Sequence, residues 1–470
     1  MAPSGSPMPA VPALYRQLLA DGADLTTREQ SARLLRQQLA AVQDLPCSLP
    51  QKPEDLAAWM AANTQQVTAD YGLYLQARQA GAPRRYFSSR SHALYLLRNV
   101  APTKLVDGAW LYGLMEHWSN PRFTDLVRTY LEELGEGAPD KNHVVLYRQL
   151  LGRYGLDLLD DLGEEAYLPG AIQLALGCNA AGFLPEIIGF NLAYEQLPLH
   201  LLITAYELNE LGIDPYYFTL HVTVDNADTG HAQRACQAVL DTLPRLGDAG
   251  QFWERVRSGS KLADAGRGTT EVIAGFDIEA EVVRVFANKS SAGSGAHSDY
   301  CKVAGRKVND WLSQPAQVPA FLEAMTQAGW IKRGRPAAES RFWGLLQGDR
   351  AEMFGVFTPY ELQVVHDWLR GPAANADGQP YAATERAFPN ARQPSFRAAT
   401  RLAAARGEGP LVADPDADLL DPDLAALQAT LPTLDPAAQA RLLVEAMAPA
   451  QHWTPAGLLA TRLFTERLRA

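Results

Sequence analysis

Three features of the sequence predict an all-α fold. Apolar residues recur at helical spacing through most of residues 55–245, for example in DLAAWMAANTQQVTADYGLYLQARQ and HVVLYRQLLGRYGL. Glycine and proline separate the helical segments, as in GEGAPD and LPGA. The sequence also lacks pairs of alternating segments joined by Asn-Gly turns, which are typical of β-hairpins. A helical bundle is therefore the expected architecture.

Periodicity and composition divide the chain into four segments. Residues 1–54 are predicted to be an N-terminal helical segment that begins with a short disordered stretch. Residues 55–245 are predicted to form the bundle, and residues 246–370 a helical extension packed on it. Residues 371–470 start with a stretch rich in Ala, Pro, Asp and Gly and end in an amphipathic pattern, which indicates a linker and a helical tail. We expect this last segment to be dispensable for any site in the bundle.

Composition and charge favour an ordinary globular protein of the cytoplasm. The 470 residues are 47% hydrophobic and 20% charged, as in typical soluble domains. The net charge of −11 argues against non-specific binding to nucleic acids. The four cysteines are widely spaced, without a CxxC pair, which indicates a reduced compartment and no cysteine-rich zinc site. We expect no signal peptide and no membrane span, because the N-terminus lacks a basic start and polar residues interrupt the longest apolar stretch.

The segment LHVTVDNADTGHA concentrates four side chains that can bind a metal ion. On a straight helix His221, Asp225 and Asp228 fall within an arc of about 60°, and buried aspartates need a partner of opposite charge. Apolar and aromatic residues precede the segment, which favours a buried metal site over a solvated polar face. Two arrangements stay open. Either these three residues form the set, or the helix is distorted beside Gly230 and His231 joins it.

Two further segments carry candidate ligands. In LEELGEGAPDKNH, Glu133 ends one helix and His143 begins the next, while Asp140 is either a ligand or the helix N-cap. In GFLPEIIGFNLAYEQ, Glu186 and Glu195 are nine residues apart, so they project to opposite sides of a helix. We expect Glu186 to face the core, because its neighbours are the more apolar. Carboxylates and histidines that converge inside a helical bundle are the usual donors of non-haem di-iron and di-manganese centres.

The three motifs EELGEGAPDKNH, PEIIGFNLAYE and YYFTLHVTVDNADTGH, in this order, resemble the haem-oxygenase-like non-haem di-iron oxidases, also called iron-containing redox enzymes. The resemblance covers about residues 55–245, and the region up to about residue 370 looks like an extension carried by longer members. It implies a haem-oxygenase-like helical bundle with a helical C-terminal extension.

The resemblance also implies a set of metal ligands. In this family a carboxylate and a histidine come from one helix, a glutamate from a second, and a His-x3-Asp-x2-His set from a third. Here the last histidine of that set is replaced by Asp228, and a histidine follows one turn later at His231. Carried over to this chain, the implied ligands are Glu133, Asp140, His143, Glu186, His221, Asp225, Asp228 and His231.

The function implied by the resemblance is O2 activation at Fe(II)/Fe(III), with two iron ions and O2 as co-substrate. The substrate would be a small molecule resembling an amino acid or a fatty acid, and no catalytic residue is expected beyond the ligands. The chain carries no GxGxxG motif, so nicotinamide and flavin are not expected. Neither a nucleic acid nor a membrane is an expected partner, and a homodimer stays open.

Two alternatives to the iron oxidase also stay open. A thiaminase-like hydrolase on the same fold would need a cysteine nucleophile, for which Cys178 and Cys236 are the candidates. A helical binding protein without catalytic activity would need no metal at all.

Overall fold

α-Helices make up almost all of the regular structure in a computed structural model of the chain. The structure describes residues 8–20, 24–224, 230–348, 351–353, 355–371 and 421–469. The disordered start and most of the linker that the sequence predicts, like Asp225 and Asp228, lie outside these residues. None of the described helices is long and apolar enough to cross a membrane.

The described helices follow one another along the chain in the order below. The first twelve are α1 Val11–Leu19, α2 Leu25–Ala41, α3 Leu56–Gln79, α4 Arg90–Asn99, α5 Ala101–Lys104, α6 Thr124–Glu133, α7 His143–Tyr154, α8 Glu164–Cys178, α9 Ala180–Tyr194, α10 Leu199–Glu210, α11 Tyr216–Val224 and α12 His231–Thr242. The next seven are α13 Ala249–Lys261, α14 Thr269–Ala274, α15 Ile278–Gly293, α16 Val308–Leu312, α17 Val318–Gln327, α18 Arg341–Gln347 and α19 Pro359–Arg370. The C-terminal tail contains α20 Pro422–Thr430, α21 Pro436–Ala446 and α22 Pro455–Arg469.

Short 3-10 helices and one small hairpin complete the regular structure of the described residues. The 3-10 helices are Pro53–Asp55, Ala109–His117, Pro121–Phe123, Gly135–Gly137, Leu262–Asp264, Pro315–Gln317, Ala337–Glu339 and Leu431–Thr433. The hairpin pairs β1 Lys302–Val303 with β2 Arg306–Lys307 in antiparallel register. The predicted all-α class is therefore confirmed.

Two hydrophobic cores hold these helices together. The first core contains side chains from α1, α2, residues 106–134, α8, α9, α12, α13 and the tail. The second core contains side chains from α4, α7, α10, α11 and residues 272–369. Helices α6 and α9 belong to the first core, and α7 and α11 belong to the second. Side chains of these helices that point towards the other core therefore meet at the boundary between the two cores.

A tight turn after α6 fixes how the chain passes from the first core to the second. Gly135, Glu136 and Gly137 all have positive φ angles, of 63°, 50° and 82°. A Cβ at Gly135 would overlap the backbone of Asn142, so this close reversal requires glycine. The side chain of Asn142 then accepts a hydrogen bond from the amide of Val145 and caps α7. As a result, α7 begins directly opposite the end of α6.

Helices α9 and α13 approach each other closely enough to exclude side chains at two positions. A Cβ at Gly189 would overlap the carbonyl of Val256, and one at Gly259 would overlap the backbone of Glu186. Backbones in such contact fix the rotation of α9 about its axis, and that rotation decides which residues of α9 face α13 and which face the other helices.

The C-terminal tail packs into the first core. Phe464 is fully buried and its ring lies edge-on to Trp118, with ring centroids 5.4 Å apart. The hydroxyl of Tyr130, on α6, donates to the carbonyl of Met447 at 2.5 Å. The tail thus contacts the helix that ends at Glu133, and the dispensability of residues 371–470 for a site in the bundle stays a prediction.

Replacing Phe464 with alanine is expected to lower the free energy of unfolding of the whole first core, by about 3–5 kcal/mol, because it leaves a cavity among buried side chains. Urea unfolding followed by circular dichroism measures the change. Leu25→Ala, at a side chain that is 81% exposed, is the control and should leave the unfolding midpoint unchanged. A separate early transition for the tail, with an unaltered main transition, would show that the tail folds independently.

Candidate metal centre

Six buried side chains from six parts of the chain converge at the boundary between the two cores. The first core supplies them from the residues before Ala109, from α6, from the end of α9 and from the start of α12, and the second core supplies them from α7 and α11. They are Asp107, Glu133, His143, Glu195, His221 and His231, all of them buried. Most of them lie at or next to a helix terminus, so their positions depend on the turn or cap at that helix end.

Four of them form the first cluster, in which one potential ligand atom of each lies within 4.8 Å of all the others. Nδ1 of His143 is 2.5 Å from Oε2 of Glu133 and 3.7 Å from Oδ2 of Asp107. Nε2 of His221 is 3.5 Å from the same Asp107 oxygen. Two imidazoles and two carboxylates therefore face a common point.

The second cluster contains Glu133 again, together with Glu195 and His231, under the same 4.8 Å limit. Nδ1 of His231 is 2.8 Å from Oε2 of Glu195 and 3.4 Å from Oε1 of Glu133. The two oxygens of Glu133 are thus divided, since Oε2 faces His143 and Oε1 faces His231. A carboxylate in this position can bridge two metal ions.

The backbone of α11 orients the ring of His221. Its Nδ1 lies 2.7 Å from the carbonyl oxygen of Tyr217, one turn earlier. Because a carbonyl can only accept, Nδ1 donates to it, and Nε2 is the ring nitrogen that faces Asp107. A hydrogen bond of this kind is the usual way in which a protein orients a metal-binding histidine.

Two neighbours hold Asp107 as a carboxylate. The hydroxyl of Tyr217 donates to Oδ2 at 2.6 Å, and Nζ of Lys104 lies 3.9 Å from the same oxygen. Burial by itself would raise the pKa of Asp107, but the charge of Lys104 and the contacts with His143 and His221 outweigh burial and hold that pKa well below its usual range. Asp107 is therefore ionised at neutral pH.

A second carboxylate orients His231 from the other side. Nε2 of His231 is 2.8 Å from Oε2 of Glu132, and Arg234 donates to both oxygens of Glu132. Burial would raise the pKa of Glu132, but its contacts with His231 and Arg234 lower it overall. Glu132 can thus accept a hydrogen bond from Nε2–H and direct the other ring nitrogen towards Glu133 and Glu195.

The tail supports the position of His143 through Asn142. The Nδ2 atom of Asn142 donates to the Leu134 carbonyl at 3.2 Å and lies 3.1 Å from Nδ1 of His452. Burial lowers the pKa of His452 to about 3, so this histidine is neutral and can accept from the amide. One asparagine thereby connects the end of α6, the start of α7 and the tail.

Without a metal ion, a proton balances the charges of the first cluster. Burial would lower the pKa of His143, but the adjacent carboxylates of Glu133 and Asp107 raise it to about 10. Burial likewise would raise the pKa of Glu133, but His143 and His231 hold it far below its ordinary value. A cation placed among these groups would compensate the same negative charges.

The structure brings together four of the eight side chains expected from the sequence, namely Glu133, His143, His221 and His231. Asp225 and Asp228 lie outside the described residues. The remaining two, Asp140 and Glu186, lie in neither cluster.

Asp140 is an exposed turn residue rather than a member of the site. Its backbone carbonyl accepts a hydrogen bond from the hydroxyl of Tyr216 at 2.9 Å, and its side chain does not cap α7, since Asn142 does. The tight turn after α6 moves residue 140 to the surface while it brings residue 143 inward.

The structure places Glu195 in the second cluster and Glu186, the glutamate expected to face the core, in neither cluster. Glu186 is buried, but both its oxygens accept hydrogen bonds from Arg255 of α13, each at 2.7 Å. The close packing of α9 on α13 turns this face of the helix towards that arginine, and the opposite face, nine residues on, presents Glu195 to His231. Apolar neighbours correctly indicated burial, but they could not show a partner 69 residues away.

Asp107 and Glu132 were not recognised in the sequence. Asp107 is a single carboxylate among apolar residues in KLVDGAW, which was a usable signal of a buried acid in need of a partner. Glu132 gave no such signal, because it resembles any surface acid of an amphipathic helix. Gly230 has an extended backbone, with φ −85° and ψ −167°, and α12 begins directly after it at His231, which lies in the second cluster.

Comparison with known proteins agrees with this geometry. No curated protein and no solved structure matches the chain with significant similarity. A family model described as iron-containing redox enzyme, of the haem-oxygenase-like group, matches residues 94–264, a range that contains all six side chains of the two clusters. The family resemblance inferred from the sequence is thereby confirmed, and residues 94–264 are similar to the iron-containing redox enzymes.

Proposed function

We propose that this protein is a non-haem iron oxidase or oxygenase that holds two iron ions and uses O2 on a small substrate resembling an amino acid or a fatty acid. The observation that carries the proposal is the pair of buried clusters that share the carboxylate of Glu133. The match to iron-containing redox enzymes supports the choice of metal and of redox chemistry.

The donor atoms are placed better for binding a metal ion than for hydrogen bonding to one another. Nδ1 of His143 is buried and has no hydrogen bond of acceptable geometry, although Oε2 of Glu133 is only 2.5 Å away. Donor atoms that approach closely without aligning for a hydrogen bond are expected of ligands whose partner is a cation. A buried imidazole without such a partner would carry an energetic penalty.

The donor set also fits iron and the charge of two divalent ions. Asp107, Glu133 and Glu195 supply three carboxylates, while the histidines supply neutral nitrogen donors. Carboxylate oxygens suit the ferric state, and mixed histidine and carboxylate ligands are typical of non-haem iron. Two divalent cations would compensate the negative charges of the three acids, so the histidines would not need to be protonated.

When bound, an iron pair supplies the electrons that reduce O2 and so makes possible the oxidation of a substrate. The residues of the chain would prepare this chemistry. Tyr217 and Lys104 hold Asp107 ionised, the Tyr217 carbonyl orients the ring of His221, and Glu132 accepts a hydrogen bond from Nε2 of His231. The full burial of the ligands excludes bulk water from the donor atoms.

The structure does not favour a cysteine-dependent hydrolase. Burial raises the pKa of the Cys236 thiol to about 11 and also raises that of Cys178, so neither is a thiolate at neutral pH. The hydrogen-bond partner of the Cys236 sulfur is the Met60 sulfur, which cannot act as a base. A nucleophilic cysteine would need an adjacent base or cation.

Iron loading should give about two ions per chain, because two clusters share one bridging acid. Asp107→Asn should remove the first position and Glu195→Gln the second, leaving about one ion each, while Glu133→Gln should weaken both. Anaerobic loading with ferrous iron, desalting and elemental analysis measure the ratio, with circular dichroism to verify folding.

Glu186→Gln is the matched control, since it changes an equally buried acid that pairs with Arg255. It should keep about two ions. Loss of iron in this control, together with full iron in the Glu133 variant, would refute the proposed centre, and selective loading with manganese would refute the choice of metal.

Tyr217→Phe should weaken metal binding at the first cluster by roughly 10- to 100-fold, because it removes a hydrogen bond that positions a ligand. Titration with Co(II), followed by its visible absorption, measures the affinity. Tyr147→Phe is the control, since Tyr147 is equally buried and its hydroxyl donates to the Leu97 carbonyl instead. Equal losses in the two variants would mean that Tyr217 only stabilises the fold.

Exposure of the ferrous protein to O2 should produce a transient visible absorption and consume O2, since both would follow from oxidation of a paired iron centre. Stopped-flow spectroscopy and an oxygen electrode measure the two effects, with the Glu133→Gln variant as the inactive reference. If the protein holds two ferrous ions yet consumes no O2 with amino acids and fatty acids tested as substrates, the proposed oxidase activity is wrong.

A further inference from the structure

The C-terminal tail packs against the turn between α6 and α7, and two members of the first cluster flank this turn. Glu133 ends α6 and His143 begins α7. A Cβ at Gly137 would overlap the carbonyl of Leu458 and the amide of Arg462, so the backbones of the turn and of α22 are in direct contact. The guanidinium of Arg462 also donates to the carbonyl of Gly137 at 3.3 Å. The position of the turn therefore depends on the docked tail.

The connection between α21 and α22 also contacts α7. His452, in this connection, is buried, and its Nδ1 lies 3.1 Å from Nδ2 of Asn142. A Cβ at Gly457 would overlap the backbone of His452, so close packing within the tail fixes the position of this histidine. The guanidinium of Arg148, on α7, lies 3.7 Å from the ring centroid of Trp453. Residues 452 and 453 thus contact α7 at its cap and at its surface.

The amide of Asn142 connects the tail to the start of α7. Its Oδ1 accepts from the amide of Val145 at 3.0 Å, and its Nδ2 donates to the carbonyl of Leu134 at 3.2 Å. The second Nδ2 hydrogen is directed to His452, with Nδ1 at 3.1 Å and the backbone carbonyl at 3.4 Å. Loss of the imidazole would leave this buried N–H with the more distant carbonyl alone. Because Asn142 caps α7 and directly precedes His143, a rotation of its amide would move that ligand.

We propose that the docked tail and the first cluster are energetically coupled through His452 and Asn142. The docked tail raises the affinity of the first cluster for a metal ion, and a metal ion bound there stabilises the docked tail. The second effect follows from the first, because the coupling between two equilibria is reciprocal. His452 is then a positioning residue, since it acts on His143 through Asn142. The coupling rests on the proposed function only in that the first cluster is a metal position.

The second cluster should respond less than the first. Glu195 directly follows α9, whose rotation is fixed by its contact with α13, and His231 begins α12 and is oriented by Glu132. These positions do not depend on the cap of α7. Glu133 belongs to both clusters, so a smaller effect on the second cluster is expected. The tail itself lies outside the matched residues 94–264, so the coupling would add to the matched region a control by another part of the chain.

Titration of the full-length, iron-free protein with Co(II), followed by visible absorption, tests the effect of the tail on the first cluster. His452→Leu should weaken binding there by roughly tenfold, as expected when a group that orients a ligand is lost. It should also change the visible spectrum of the bound Co(II), which reports the geometry of the ligands. His452→Asn should restore most of the affinity, because its amide oxygen can replace Nδ1 as the acceptor.

Two backgrounds assign the effect to one cluster. In Glu195→Gln, only the first cluster should bind an ion, and the loss caused by His452→Leu should appear in full. In Asp107→Asn, only the second cluster should bind an ion, and the loss should be smaller. A loss of the same size in both backgrounds would mean that the tail acts on the whole fold, which would overturn the coupling through Asn142.

Phe464→Ala is the matched control, because it removes a buried side chain of the same tail, packed on Trp118, and leaves the acceptor of His452 in place. At a temperature at which circular dichroism shows both variants folded, it should keep the Co(II) affinity that His452→Leu loses. Equal losses in the two variants would mean that His452 contributes only to stability. If residues 371–470 are dispensable for the site, as the sequence predicts, His452→Leu will leave the affinity unchanged, and the proposed coupling is wrong.

Hydrogen exchange followed by mass spectrometry tests the reciprocal effect of the metal ion on the tail. Co(II) should slow the exchange of the amides of α22 more than that of the amides of α17, and the difference should disappear in His452→Leu. Binding of Co(II) without a change in α22 would overturn the coupling. A coupled centre that loads iron but consumes no O2 would refute the proposed oxidase alone, and an active oxidase with equal Co(II) affinity in all His452 variants would refute the coupling alone.

Discussion

The arrangement of the molecule depends on the contacts that the buried carboxylate of Glu133 makes with two histidines. Its two oxygens face His143 on one side and His231 on the other, and it is buried where an unpaired charge would cost several kcal/mol. Its partners come from both hydrophobic cores, so the cores must meet in one register for the charge to be compensated. The candidate centre is therefore also the place where the two halves of the fold are joined.

Most side chains of the candidate centre lie at helix ends, and this location determines how they are held in place. A side chain at a terminus is positioned by the turn or cap beside it, and the neighbouring turns here are constrained. The positive-φ turn after α6, the cap at Asn142 and the extended backbone of Gly230 each fix one participant. The tail then packs over this region through Met447 and His452. Order in the centre is thus maintained by residues that never face it.

Several features of the site can be predicted from the sequence because they depend only on neighbouring residues. The helical class follows from apolar spacing, and Glu133 and His143 were identified because they flank a Gly/Pro turn between two helices. His221 and His231 are predicted because they lie beside two aspartates that would need a partner of opposite charge in an apolar segment. A break near Gly230 was one of the two arrangements left open, since glycine tolerates backbone distortion. Each of these inferences needs only the residues within about one or two helical turns.

The tertiary structure alone decided which acids complete the set. Glu186 and Glu195 have comparable local sequences, and the difference between them is the contact of α9 with α13, which provides Arg255 to one and leaves the other facing His231. Asp107 becomes part of the site because His143 of α7 and His221 and Tyr217 of α11 reach it from distant parts of the chain. The sequence by itself determined the helices and the chemical types that would converge. Which acids enter the site, and which groups they pair with, depends on tertiary packing. The partners of a buried carboxylate are often far from it in the sequence, so the sequence alone does not show them.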